Sequence, residues 1–261
     1  ELLGDLTIFG EMTMNTSNQN VTITQVGQPI GLFYGYKVEG IFRTLDDING
    51  APVQFGRPFE DALFSTTWLG DIKFKDINGD GVVNTDDRTV IGNPHPDFTF
   101  GFQNSFNYKN FDLSIFMQGS YGNDVFNAVN RSLTAGNQTY TNQLPSVLDY
   151  WSVDNPNASN PRLARNDTPN INISDRYIED GSYLRIQNVT LGYTLPSDAT
   201  STFGINRLRV YGMIQNLYTF TKYSGYDPEI GVYNQNALLM GVDNGRYPTP
   251  RIFTLGLNVE F

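Results

Sequence analysis

From Phe253 to Phe261, apolar and polar residues alternate without a break. Phe253, Leu255, Leu257, Val259 and Phe261 share one parity, and Thr254, Gly256, Asn258 and Glu260 share the other. A period of two puts each set on its own face of an extended chain, so the segment predicts a β-strand with one greasy side. The same pattern runs through Phe98, Phe100, Phe102, Phe106 and Tyr108 against Thr99, Gly101, Gln103, Ser105 and Asn107, and returns in Phe111, Leu113, Ile115 and Met117. Lys109-Asn110 between these runs predicts a tight hairpin turn. Val189, Leu191, Tyr193 and Leu195 form a further strand, followed by Leu208, Val210, Ile214, Tyr218 and Phe220. Leu184 and Ile186 are out of phase with Val189, which predicts a bulge near Gln187-Asn188. Leu6, Ile8, Met12 and Met14, then Val21, Ile23 and Val26 across a polar turn, bring the total to about seven strands.

The links between strands are of two kinds. Those after Met14, Tyr108 and Leu195 are short, while those after Val26, Tyr121 and Phe220 run to roughly 30 to 70 residues. Membrane β-barrels sort their connections this way, with short periplasmic turns and long extracellular loops. No apolar run approaches the roughly 20 residues of a membrane-spanning helix. The expected fold class is therefore all-β, an antiparallel transmembrane β-barrel segment spanning 1–261, with extracellular loops at 27–97, 122–182 and 221–250. A secreted calcium-binding β-sandwich, a carbohydrate-binding or dockerin-like module, is the alternative reading. An odd strand count and two open sheet edges are incompatible with a closed barrel in lipid, so further strands are expected before Glu1.

Composition narrows the chemistry. The chain has no Cys and one His, which removes disulfides, thiolate metal sites and Cys nucleophiles. A net charge of −10 gives no basic footprint for nucleic acid. His95, between Pro94 and Pro96, is expected to be a solvent-exposed turn residue. Neighbouring acids such as Asp86-Asp87 and Glu179-Asp180 do not supply the two carboxylates across a cleft that glycoside hydrolysis needs. No catalytic residue is assigned, and the chain is not expected to be an enzyme. Trp68, Trp151, Tyr140, Tyr150, Tyr223 and Tyr226 fall in the long links, where they could stack on sugars or pack among loops; no substrate-binding residue is assigned.

One segment has explicit ligand chemistry. Asp76-Ile77-Asn78-Gly79-Asp80-Gly81-Val82-Val83-Asn84-Thr85-Asp86-Asp87 places side-chain oxygens at the first, third and fifth positions of a calcium loop, Gly at the sixth and a carboxylate at the twelfth. A hard cation would take Asp76, Asn78, Asp80, the Val82 carbonyl, Asn84 and Asp87, and the role of such a Ca²⁺ would be structural. The competing reading is a metal-free loop whose Asx side chains bond their own backbone.

Several stretches together resemble SusC-like TonB-dependent outer-membrane transporters of Bacteroidetes-type bacteria. They include Gly35-Tyr36-Lys37-Val38-Glu39-Gly40-Ile41-Phe42 within 31–42, Gly70-Asp71-Ile72-Lys73-Phe74-Lys75-Asp76-Ile77-Asn78-Gly79-Asp80-Gly81, and the segments 87–94, 112–124 and 178–185. The resemblance covers nearly the whole chain and implies the C-terminal part of a barrel of about 22 strands whose lumen holds a plug. It also implies outer-membrane localisation and nutrient import, of oligosaccharides or peptides, with a SusD-like surface lipoprotein as lid. TonB would act through a plug region that this sequence does not show. Thr254, Gly256, Val259 and Phe261 resemble the signal read by the barrel-assembly machinery.

Overall fold

The computed structural model describes residues 6–14, 17–60, 66–136, 142–163 and 168–261. Strands dominate, and the longest helix among the described residues is Ala128–Thr134. The chain divides into two compact units, one of residues 1–95, 124–179 and 230–245, the other of residues 96–123, 180–229 and 246–261.

In the first unit, β1 (Thr7–Met14), β2 (Ser17–Gln25), β3 (Leu32–Gly35) and β4 (Thr89–Gly92) form a sheet in that order. Val21, Thr22 and Ile23 are all buried, so both faces of β2 are covered here. The covering residues come from far along the chain. Met12, Val21, Phe33, Phe126, Ala128, Ile173, Tyr177, Leu239 and Val242 make one apolar core, drawn from all three segments of the unit. Gly10 allows the closest approach: a Cβ there would overlap the Thr22 hydroxyl and lie 2.8 Å from the Leu238 carbonyl, which accepts a 2.6 Å hydrogen bond from Thr22 Oγ1. A second cluster of Tyr36, Ile72, Phe74 and Val83 is knit by edge-on contacts among Tyr36, Phe55 and Phe74.

In the second unit, β5 (Phe98–Tyr108), β6 (Phe111–Tyr121), β7 (Tyr183–Thr194), β8 (Arg207–Thr221) and β9 (Ile252–Glu260) make one antiparallel sheet in the order β9-β8-β7-β6-β5. Lys109-Asn110 turns β5 into β6, with Lys109 in the left-handed region at φ 52°. The ladder between β7 and both its neighbours slips between Ile186 and Asn188, the bulge expected from the parity change.

All seven alternating segments are strands, but they do not share one sheet. Five form the sheet of the second unit, whereas β1 and β2 pair into the first unit's sheet through β3. The physical reason is burial: Met12 and Val21 meet apolar partners supplied by distant segments, Ile23 is buried as well, and period two alone does not record which sheet a strand joins.

Candidate functional site

The candidate site is the two-faced sheet of the second unit. Register carries single apolar rows across all five strands. One runs Phe106, Leu113, Leu191, Gly212, Leu255, and the next runs Tyr108, Phe111, Tyr193, Val210, Leu257. A third, Asn104, Ile115, Val189, Ile214, Phe253, has one polar member at its rim strand. These side chains face outward uncovered: Leu255 is 90% exposed, Phe253 70% and Phe111 51%. A sandwich would bury this face under a second sheet. Soluble monomers rarely expose apolar patches beyond about 300–600 Å², and the contact partner this face fits is hydrocarbon. The strand lengths of 9 to 15 residues suit a bilayer, which a tilted strand of about 9–11 residues crosses.

The opposite face is polar. Its rows read Ser105, Ser114, Thr190, Met213, Thr254 and Asn107, Asp112, Gly192, Tyr211, Gly256. Glycines make room for larger neighbours on it. Arg209 Nε donates to Asp112 Oδ1 over 2.9 Å across Gly192, and the Tyr211 ring lies over Gly256. Near one end of β7, Arg185 is buried in a network with Asp227, Glu229 and Thr219. Burial would push the Asp227 carboxyl up, but hydrogen bonds from Thr249, the Glu229 amide and Arg185 outweigh it and hold the carboxyl below its ordinary range.

Of the residues resembling a barrel-assembly signal, Thr254 and Gly256 lie on the polar face, while Val259 and Phe261 are exposed. They sit on or just beyond β9, which is an edge strand of this sheet.

The loop 76–87 folds around its own backbone. Asp76 accepts from the Gly79 and Gly81 amides at 2.6 and 2.8 Å, Asn78 Oδ1 from Asp80, Asp80 Oδ1 from Val82 and Asn84 Oδ1 from Asp86. Asp87 is fully buried, its Oδ1 accepting from Ile77 and its Oδ2 from Asn84, each at 2.8 Å. Both oxygens at the twelfth position are thus engaged by amides, and among the described residues no group of three or more His, Cys, Asp or Glu side chains is placed to hold a metal. Burial raises the Asp87 pKa, and the amides of Asn84, Ile77 and Asn78 lower it by more, for a net depression. A depressed carboxyl stabilises the fold above its unfolded pKa and loses that contribution as pH falls through the folded value. Asp87→Ala is therefore expected to cost about 1–3 kcal/mol at neutral pH by orphaning buried amides. Hydrogen exchange of residues 77–87 should show that deficit vanishing in acid.

The aromatic residues of the links divide. Tyr223 is buried at 5% exposure and Tyr226 is exposed at 76%, the Trp151 ring packs on Gly70, Trp68 and Tyr150 are half-buried, and Tyr140 lies outside the described residues. His95 is not solvent-exposed as expected. It is half-buried, with Nε2 2.7 Å from the Ile30 carbonyl, because the proline-flanked turn folds back onto the β2–β3 link.

Sequence reasoning missed the Arg185 network and a second buried constellation, around Asp71. Asp71 takes a bidentate bond from Arg162, both arms 2.8 Å, and a third from Asn170 Nδ2 at 2.9 Å. Separations of 91 and 99 residues leave no local signal for it.

A sheet with one lipid-compatible face and one polar face defines the class: this chain carries part of an outer-membrane β-barrel. No family model matches the chain. It is 37% identical over 243 residues to TonB-dependent receptor P3 of Formosa agariphila, covering 92% of this chain and 23% of that protein. It is 27% identical over 255 residues to TonB-dependent receptor SusC of Bacteroides thetaiotaomicron, covering 97% of this chain and 21% of that one. In fold, it matches a solved structure of the RagAB peptide transporter at a TM-score of 0.71 and 22% identity, over 96% of this chain and 24% of the other. The chain thus spans about a quarter of the length of the curated relatives it matches. Its kinship is with SusC-like TonB-dependent receptors, and the outer membrane is where its five-stranded sheet resides.

Proposed function

We propose that this chain supplies barrel strands and surface loops to a TonB-dependent importer of nutrients, oligosaccharides in the first place. The observation that carries the reading is the five-stranded sheet with an uncovered apolar face, taken together with its likeness to TonB-dependent receptors along nearly its whole length. In this reading the polar face lines the lumen, and the links 27–97, 122–182 and 221–250 lie outside the cell. A SusD-like lipoprotein covers them, and TonB acts through a plug contributed by sequence outside this chain. The barrel-assembly machinery recognises β9 through Thr254, Gly256, Val259 and Phe261. The chain acts as conduit and scaffold and catalyses nothing.

Deleting the gene should abolish TonB-dependent uptake of oligosaccharide, and the full-length protein should need detergent and show heat-modifiable gel migration. A full-length protein that stays monomeric in plain buffer would overturn the barrel. Loss of peptide uptake with oligosaccharide uptake intact would reassign the cargo.

The loop 76–87 is proposed to take a structural Ca²⁺ through Asp76, Asn78, Asp80, the Val82 carbonyl and Asn84, with Asp87 closing the shell. The spacing of the first five positions supports it. The engagement of Asp87 by amides means that binding must compete with a loop already satisfied, which fits only a weak, extracellular-range affinity of about 10⁻⁴–10⁻³ M. Calorimetric titration of the full-length protein should find saturable Ca²⁺ binding in that range, lost in Asp80→Ala. Absence of any heat at 10-fold higher Ca²⁺ removes the metal from the account.

A further inference from the structure

The first unit carries a cavity of about 760 Å³, within the roughly 300–1,000 Å³ of sites that hold small ligands. Its walls come from stretches far apart in the chain: 38–43, 130–134, 146 with 159–160, and 175–176. Hydrogen bonds between these stretches fix the walls in place. Arg43 donates to the Pro156 and Ala158 carbonyls. Arg176 Nη2 donates to Asn160 Oδ1, and Asn160 Nδ2 donates to the Ser146 carbonyl at 2.7 Å. The Val38 amide donates to Asp175 Oδ1 at 3.0 Å. A site whose walls are set before a ligand arrives loses little freedom on binding.

The lining selects the ligand's chemistry. Most small-molecule sites are largely apolar with a few polar groups, and this one is the reverse. Apart from Val38, Gly40 and Ile41, every residue on it is polar or charged, and among the described lining residues none is aromatic. Its charges balance, Glu39 and Asp175 against Arg43 and Arg176. The groups behind the lining keep that balance. Lys73 pairs with Glu39 at 3.1 Å and Lys37 acts on Asp175, while Arg43 acts on Asp149 and donates its amide to Asp47. A ligand of either charge would meet its like as well as its opposite here. Hydroxyls suit both sets, because each donates one hydrogen bond and accepts others. The carboxylates accept, the guanidiniums donate, and the Asn130, Thr134 and Ser146 side chains do either. Asp175 is also short of donors: burial pushes its carboxyl up by more than the Val38 amide and Lys37 lower it, and a hydroxyl of the ligand supplies what is missing.

We propose that this cavity binds a short stretch of a neutral oligosaccharide, held through its hydroxyls without an aromatic platform. The inference rests on the import reading and deepens it, giving the cargo a place of contact and a charge class.

The test is calorimetry on the full-length protein in detergent. Maltose, cellobiose, lactose and mannobiose serve as neutral probes, and glucuronate, glucosamine and dialanine as charged ones. At least one neutral disaccharide should bind saturably, about tenfold more tightly than any charged probe, with a Kd that changes less than about twofold between low and high salt. Ser146→Trp, at an exposed lining position, should fill the space and weaken that sugar about tenfold while melting as the parent does. Asp175→Asn keeps an oxygen for the Val38 amide and turns the other acceptor into a donor, so it should weaken the same sugar about tenfold. No binding by any neutral probe, equal or tighter binding of a charged one, or an unchanged Kd in either variant overturns the proposal. Failure of the import reading itself registers separately, as unaltered cellular uptake of neutral oligosaccharides after gene deletion with binding to the purified protein intact.

Discussion

Lysine in place of Ile115 is expected to cost the assembled protein about 2–4 kcal/mol, while lysine in place of the adjacent Ser114 costs little. The two positions are neighbours in β6, share backbone geometry and differ in the face they present. Ile115 sits between Asn104 and Val189 on the apolar face, and Ser114 between Ser105 and Thr190 on the polar one. Near the middle of a membrane strand a lysine on the lipid side meets hydrocarbon, which solvates an ammonium poorly, whereas on the other side it meets water and hydroxyls. Heat-modifiable migration and denaturant unfolding of the full-length protein in lipid vesicles measure the difference. Equal penalties at the two sites would mean that both faces see the same medium, and the membrane assignment would fall.

How much of this was legible in the sequence depends on the range over which each feature is encoded. The faces of β5 to β9 were legible because alternation is local: Phe253 and Leu255 differ from Thr254 and Gly256 within a few residues. The bulge was legible for the same reason, as a parity change between Ile186 and Val189. The first unit was not. Its core joins Phe33, Phe126 and Leu239, which sit in links with strands of two to four residues or none, too short to show a period. What read as long loops is a packed unit with its own aromatic clusters. The calcium-like spacing was legible, but the use its side chains make of the backbone was not, since Asx oxygens at alternate positions serve an amide or a cation equally well.

The largest loss from a single truncation is expected at Arg185→Met, about 3–5 kcal/mol, because it strands a buried carboxylate. The side chains of Arg185 and Asp227 are only 3% and 6% exposed. The guanidinium also reaches Glu229 at 2.8 Å and Thr219 Oγ1 at 2.9 Å, so one residue ties β7 and β8 to the segment that follows β8. In the parent, Asp227 has a depressed pKa, and its contribution is present at neutral pH and lost as pH falls through that folded value. Without Arg185 the hydrogen bonds from Thr249 and the Glu229 amide remain, but one of the groups that lower the carboxyl is lost, so its pKa rises toward the ordinary range and its contribution at neutral pH shrinks. The gap between parent and variant should therefore be widest at neutral pH and close as both are acidified. Denaturant midpoints across that range test this, and adding Asp227→Asn to Arg185→Met should recover part of the loss at neutral pH by removing the stranded charge. A pH-independent gap would show instead that the guanidinium acts here through packing of its stem, with its charge compensated by solvent on the polar face.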